Sequence, residues 1–201
     1  MDTAHLRSAL LGFTRKSYPD MEIQVRPWAD DPRRLAIYFV ERKFGELYPM
    51  QRYHYLAHLI PKEFFDEHLS NTVWFELAPG EKAEDLSYPD DELISAIAPD
   101  VMSVLERSGA LSALDDLLCP QSAQTPRASC FGDYRHARDV FLARGFKEEE
   151  LFDVFHVLMA KGGFCDCEIL YNAADTSRLK AEYWRARAEN REPHDPHGRG
   201  V

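Results

Sequence analysis

The chain reads as an α+β protein, with an N-terminal α-β-β-α-α-β module followed by a mainly helical second domain that carries one short Cys-x-Cys strand. Three observations predict this. Apolar residues alternate with polar ones over 21–26, as a half-buried strand requires, and 35–40 is a continuous apolar run, as a central strand requires. A run of acids, serine and proline then interrupts the pattern near residue 82. Beyond it the apolar residues recur at helical spacing and stop at Gly145 and Gly162, glycines of the kind that end helices.

The chain has 201 residues, 45% of them hydrophobic and 12% aromatic, which is ample material for two small cores. The formal net charge is −10, from 24 basic and 34 acidic residues, and such a surface repels phosphate backbones. Nucleic acid is therefore not an expected partner. The start, Met1-Asp2-Thr3-Ala4-His5-Leu6-Arg7, develops no secretion-type apolar run, and no stretch reaches the roughly 20 apolar residues of a membrane span. A cytoplasmic location without membrane contact is expected, so the four cysteines should be reduced.

The elements follow in order. Residues 3–16 place Leu6, Leu10, Leu11 and Phe13 at helical spacing, with Thr3 as the expected N-cap. Tyr18-Pro19-Asp20 is turn chemistry, and 21–26 and 35–40 form a β-hairpin across Ala29-Asp30-Asp31-Pro32, the second strand apolar enough to be central. A helix is expected between Pro49, which suits a first turn, and Pro61, which cannot lie inside one. On it Met50, Tyr53, Ala57 and Ile60 share the expected inner face, with Gln51, Arg52 and His58 outward. A second short helix over 61–69 leads to a third strand, 72–77.

This order, together with Phe44 and Gln51-Arg52 at their spacing and the ending Pro79-Gly80-Glu81, resembles the BolA family over roughly residues 6–81. The resemblance implies a BolA-like α/β domain and points to Arg52 and His54 as binding residues. Three departures stand against the family's pattern. The turn glycine comes one place early at Gly45, Tyr53 occupies the family's histidine position, and the third strand has no histidine. The family's shared iron–sulfur cluster is therefore not implied here.

Residues 82–99 are expected to be an acidic linker, in which 91–98 can add a turn or two of helix. The second domain, 100–191, begins with a helix capped by Asp100 and weakened at Gly109. Further helices are expected over 133–144 and 148–161, then the strand Gly162-Gly163-Phe164-Cys165-Asp166-Cys167-Glu168-Ile169-Leu170-Tyr171, and a last helix capped by Asp175. Residues 192–201 are expected to be a disordered tail. The segment 162–172 resembles the Gly-Gly-aromatic-Cys-Asp-Cys-Glu signature of a bacterial domain-of-unknown-function family.

On a strand, Cys165 and Cys167 would share one face, with Asp166 and Glu168 on the solvated other. Three readings of these cysteines stay open. Zn²⁺ or iron on Cys165, Cys167, Cys130 and His136 is one, since zinc takes four such ligands tetrahedrally. Plain burial as small hydrophobes is the second. Thiol-redox chemistry is the third, opposed by the neighbouring acids, which raise a thiol pKa. His54 and His58, four apart, lack a third ligand at a telling offset. The basic last helix, with Arg178, Lys180, Arg185 and Arg187, reads as a solvated face or a contact with acids of the same protein. No catalytic residue is nominated. The expected function is a non-enzymatic interaction or regulatory protein acting through a protein partner; the alternative is a metal or thiol-redox protein centred on Cys165 and Cys167.

Overall fold

The computed structural model describes residues 2–122 and 124–192. The chain divides into two compact units, Met1–Tyr88 and Pro89–Val201. Apart from Glu192, the expected tail lies outside the described residues.

In the first unit, helix α1 (Thr3–Thr14) is capped one residue before the expected Thr3, because the Asp2 carboxylate accepts from His5 N at 2.9 Å. Strands β1 (Glu22–Pro27) and β2 (Leu35–Val40) form the antiparallel hairpin, and β3 (Thr72–Leu77) adds in parallel on the other side, leaving β2 central. The connection from β2 to β3 runs through helices α2 (Pro49–Leu59) and α3 (Lys62–His68). Ile23 pairs with Phe39, and Ile37 with Trp74, so alternate residues of all three strands enter one core with Leu6, Leu10, Phe44 and Leu56. The same register seats Glu76 beside Phe39, on the core side of the sheet.

The expected inner face of α2 is turned. Gln51 and Arg52 are buried, and Tyr53 is 45% exposed. Hydrogen bonding decides this against the apolar pattern. Gln51 Oε1 caps the helix by accepting from Tyr48 N at 2.9 Å, while Arg52 reaches under the helix to backbone carbonyls that need donors.

In the second unit, α4 (Asp91–Arg107) occupies part of the expected linker. Asp90 caps it by accepting from Glu92 N and Leu93 N, so the helix begins ahead of Asp100 and Pro99 lies inside it. Pro99 is exposed, and Ile94, Met102 and Leu105 maintain one buried stripe past it. Gly109, at φ 69, separates α4 from α5 (Ala110–Leu118). Helices α6 (Arg135–Ala143) and α7 (Glu148–Ala160) complete the body: α4 packs on α7 and α5, and α5 on α6.

The Cys-x-Cys segment is not a strand. Cys165 is the extended N-cap of a short helix α8 (Asp166–Glu168), which continues as a π-helical turn, Ile169–Ala173. Among the described residues of this unit there is no strand to pair with, so an extended segment would leave its backbone groups unmet. Helical turns satisfy them locally. The last helix, α9 (Arg178–Ala188), is capped by Ser177, which accepts from Lys180 N at 2.9 Å, and not by Asp175.

Candidate metal centre

The site is built on the abrupt end of α7. Gly162, at φ 82, turns the chain back, and Gly163 N donates to Leu158 O at 2.9 Å. A methyl group on Gly163 would stand 3.1 Å from Ile169 Cα and 3.2 Å from Leu158 O, so the π-turn lies against the helix end where a side chain would be tight. Asn172 Nδ2 ties the far end of that turn to Gly162 O at 2.8 Å, and the Glu168 carboxylate accepts from Phe164 N at 3.0 Å. Cys165 is thereby extended and Cys167 helical. On a strand, residues two apart are separated by about 6.6 Å along the chain. Here the two sulfurs stand 3.4 Å apart.

Cys130 arrives from the loop ahead of α6, and several bonds hold that loop down. Ala128 N donates to Leu117 O at 3.1 Å, Asp166 N donates to Asp133 O at 3.0 Å, and the Tyr134 hydroxyl donates to Gly163 O. The Tyr134 ring stacks on Phe155 at 4.3 Å between centroids. Asp166, expected on a solvated face, is fully buried: its carboxylate accepts from His136 N at 3.2 Å and Ala137 N at 2.8 Å. It is the N-terminal cap of α6, supplied by a residue far along the chain. Burial pushes its pKa up to about 8, against those two N–H groups, which favour the charged form.

The outcome is a cluster in which one sulfur from each of Cys130, Cys165 and Cys167 lies within 4.8 Å of the others, all three residues buried. Burial first, and then the bonds with Cys130 and Cys167, push the Cys165 thiol well above its usual range. For Cys167 the bond with Cys130 is the larger cause, with burial adding to it. A cation reverses this balance, because it stabilises thiolates directly.

His136 does not join the cluster; its Nε2 lies 3.0 Å from Ser129 O. The fourth cysteine is elsewhere as well. Cys119 Sγ donates to Glu182 Oε2 at 3.3 Å, and Arg127 bonds the same carboxylate at 2.8 Å. In the first unit, Arg52 is spent inside the fold. It donates to Leu47 O, to Glu76 O and to the Glu81 carboxylate, the last at 2.5 Å, and presents no free guanidinium. The His54 ring is tilted against that of His58 at 4.2 Å between centroids, and burial, then His58, bring its pKa down to about 4. The basic helix α9 meets acids of its own unit, Arg178 bonding Asp115 at 2.8 Å and Asp116 at 2.5 Å.

Sequence reasoning missed the structural role of Asp166. The available signal was its position among Phe164, Ile169 and Leu170, an acid inside an apolar run, which calls for a buried partner.

A family model described as "Protein of unknown function (DUF2695)" matches residues 117–172, a span that contains all four cysteines, Asp166 and both segments of the cluster. No curated protein and no solved structure matches the chain. Among the described residues, no helix is long and apolar enough to cross a membrane.

Proposed function

We propose that the second unit is a metal-binding module in which Cys130, Cys165 and Cys167 hold one thiophilic ion, Zn²⁺ in the first instance, as a structural cross-link. The observation that carries this is the convergence of three buried sulfurs from two separate chain segments within 4.8 Å. Tetrahedral zinc at about 2.3 Å from each sulfur sets sulfurs about 3.8 Å apart. The 3.4 Å pair and the 4.8 Å limit bracket that value, so the ion asks for small side-chain adjustments. Burial of all three ligands supports a closed, structural site over a catalytic one, which keeps a position open to solvent. For His136 to be the fourth ligand, its ring would have to leave the Ser129 carbonyl.

On this reading the protein is a non-enzymatic, cytoplasmic interaction or regulatory protein, and the ion fixes the loop carrying Cys130 against the α7 end. The α-β-β-α-α-β order of the first unit supports a BolA-like module beside it. The lack of a histidine in β3 keeps an iron–sulfur cluster out of the proposal.

The test is elemental analysis of the purified full chain. About one equivalent of zinc is expected, lost in Cys167→Ser and Cys130→Ser and retained in Cys119→Ser. Added Zn²⁺ at a thousand times its dissociation constant should stabilise the protein by about 4 kcal/mol. Metal-free protein with an unfolding midpoint indifferent to zinc and to chelator would overturn the reading and leave the cluster as plain packing.

A further inference from the structure

A second feature of the same unit is independent of the cysteines. A cavity of about 380 Å³ opens between α4, the turn joining α6 to α7, and the first turns of α7. That volume suits a small metabolite. Its floor is apolar, from Val101, Val104, Phe146 and Val154. Val104 is 41% exposed there, an aliphatic side chain left partly uncovered.

The charges around this floor are segregated. Arg144 lies at the end where α4 stops, its Nη1 only 3.4 Å from Ser108 O. Asp100 lies eight residues earlier on the same helix, about 12 Å along its axis. Glu150 and Asp153, three apart on α7, share one face and join the lining. Among the described residues, neither Asp100 nor Asp153 forms an ion pair with a lysine or arginine, and Arg144 forms none with a carboxylate. The cavity therefore offers three carboxylates and one guanidinium over an aliphatic floor.

We propose that this cavity binds a basic α-amino acid, with lysine as the simplest member of the class. The carboxylate of the ligand meets Arg144, its ammonium groups meet Asp100 and Asp153, and its methylene stem covers Val101 and Val104. A purely anionic ligand would face three carboxylates. A purely cationic one would meet an unmatched guanidinium. Two cations and one anion on an aliphatic stem match both.

The test is calorimetric titration of the full chain with L-lysine at low ionic strength, alongside L-norleucine, which lacks the terminal ammonium, and cadaverine, which lacks the carboxylate. Lysine should bind at least about tenfold more tightly than either. Because Asp100 is the carboxylate far from Arg144 and so faces the side-chain ammonium, Asp100→Asn should abolish the preference over norleucine and spare the preference over cadaverine, and Arg144→Met should do the reverse. Both side chains are exposed, so both variants should keep the wild-type unfolding midpoint. The proposal fails if lysine shows no heat of binding up to about 10 mM, or if the two variants leave the preferences unchanged. Neither result bears on zinc, which Cys167→Ser tests separately.

Discussion

Glu76 gives the first unit a measurable dependence on pH. It is 2% exposed, and its Oε1 has no hydrogen-bond partner. Arg52 is close, but its donors go to the Glu76 carbonyl at 2.8 Å, to Leu47 O at 2.9 Å and to Glu81. Burial therefore dominates and raises the Glu76 pKa from 4.5 to about 7, with its own backbone N–H and Arg52 opposing. The folded state keeps this proton where the unfolded chain has lost it. Stability from this group is thus full below pH 4.5, falls as pH rises from 4.5 to about 7, and is then lost. The amount is about 3 kcal/mol, at roughly 1.4 kcal/mol per pH unit. His54 acts with the opposite sign, because its pKa falls from 6.5 to about 4, and stability from its burial grows as pH rises across that window. The wild-type curve alone would mix the two. A difference curve separates them: urea unfolding of the full chain in a Trp184→Phe background, read through Trp28 and Trp74, with and without Glu76→Gln. The stability of the Gln variant relative to its parent should climb by about 3 kcal/mol between pH 4.5 and 7 and level off above. A flat or falling difference over that window would refute the reasoning.

Two further predictions concern the second unit. Gly163→Ala should cost ~1–3 kcal/mol, because the new methyl meets Ile169 Cα and the Leu158 carbonyl, backbone atoms that would have to shift by a few tenths of an ångström; an unchanged unfolding midpoint would show that they do so freely. Asp115 accepts from Arg178 N at 3.0 Å and Leu179 N at 3.2 Å as well as from the Arg178 guanidinium. Asp115→Ala should lower stability by ~2–4 kcal/mol and speed amide exchange at the start of α9, with Asp115→Asn milder because it keeps an acceptor for the cap.

Much of the fold was legible where local chemistry decides it. Pro49 and Pro61 bracket α2, the turn residues before β2 make the hairpin, and Gly145 and Gly162 end α6 and α7. The apolar run 35–40 was expected to be central, and β2 is. Local pattern failed where a distant group decides. Arg52 and Gln51 look outward by periodicity, yet the Leu47 and Glu76 carbonyls with the Glu81 carboxylate, and a helix start, draw them in. Asp100 has the chemistry of a cap, but Asp90 does the capping and the helix runs on through Pro99.

The same distinction explains how the cysteine site was read. Its residues were visible as a type: Cys165, Cys167 and Cys130 were singled out from spacing and reducing context, and their sulfurs do converge. Its geometry was not, because a strand and a helix start make opposite use of the same two-residue spacing. The choice between them falls to Gly163, whose lack of a side chain lets the following turn fold back on α7, and to Asp166, whose carboxylate is needed at the start of α6. An extended 164–168 segment would turn Asp166 away from that helix, leaving two N–H groups without their acceptor, at about 1 kcal/mol for a lost cap. The helical start keeps the cap and, by the same backbone turn, brings Cys167 within 3.4 Å of Cys165. The acid between the two cysteines is therefore what makes them neighbours, which is why its place inside the Cys-Asp-Cys run matters more to the cluster than its charge.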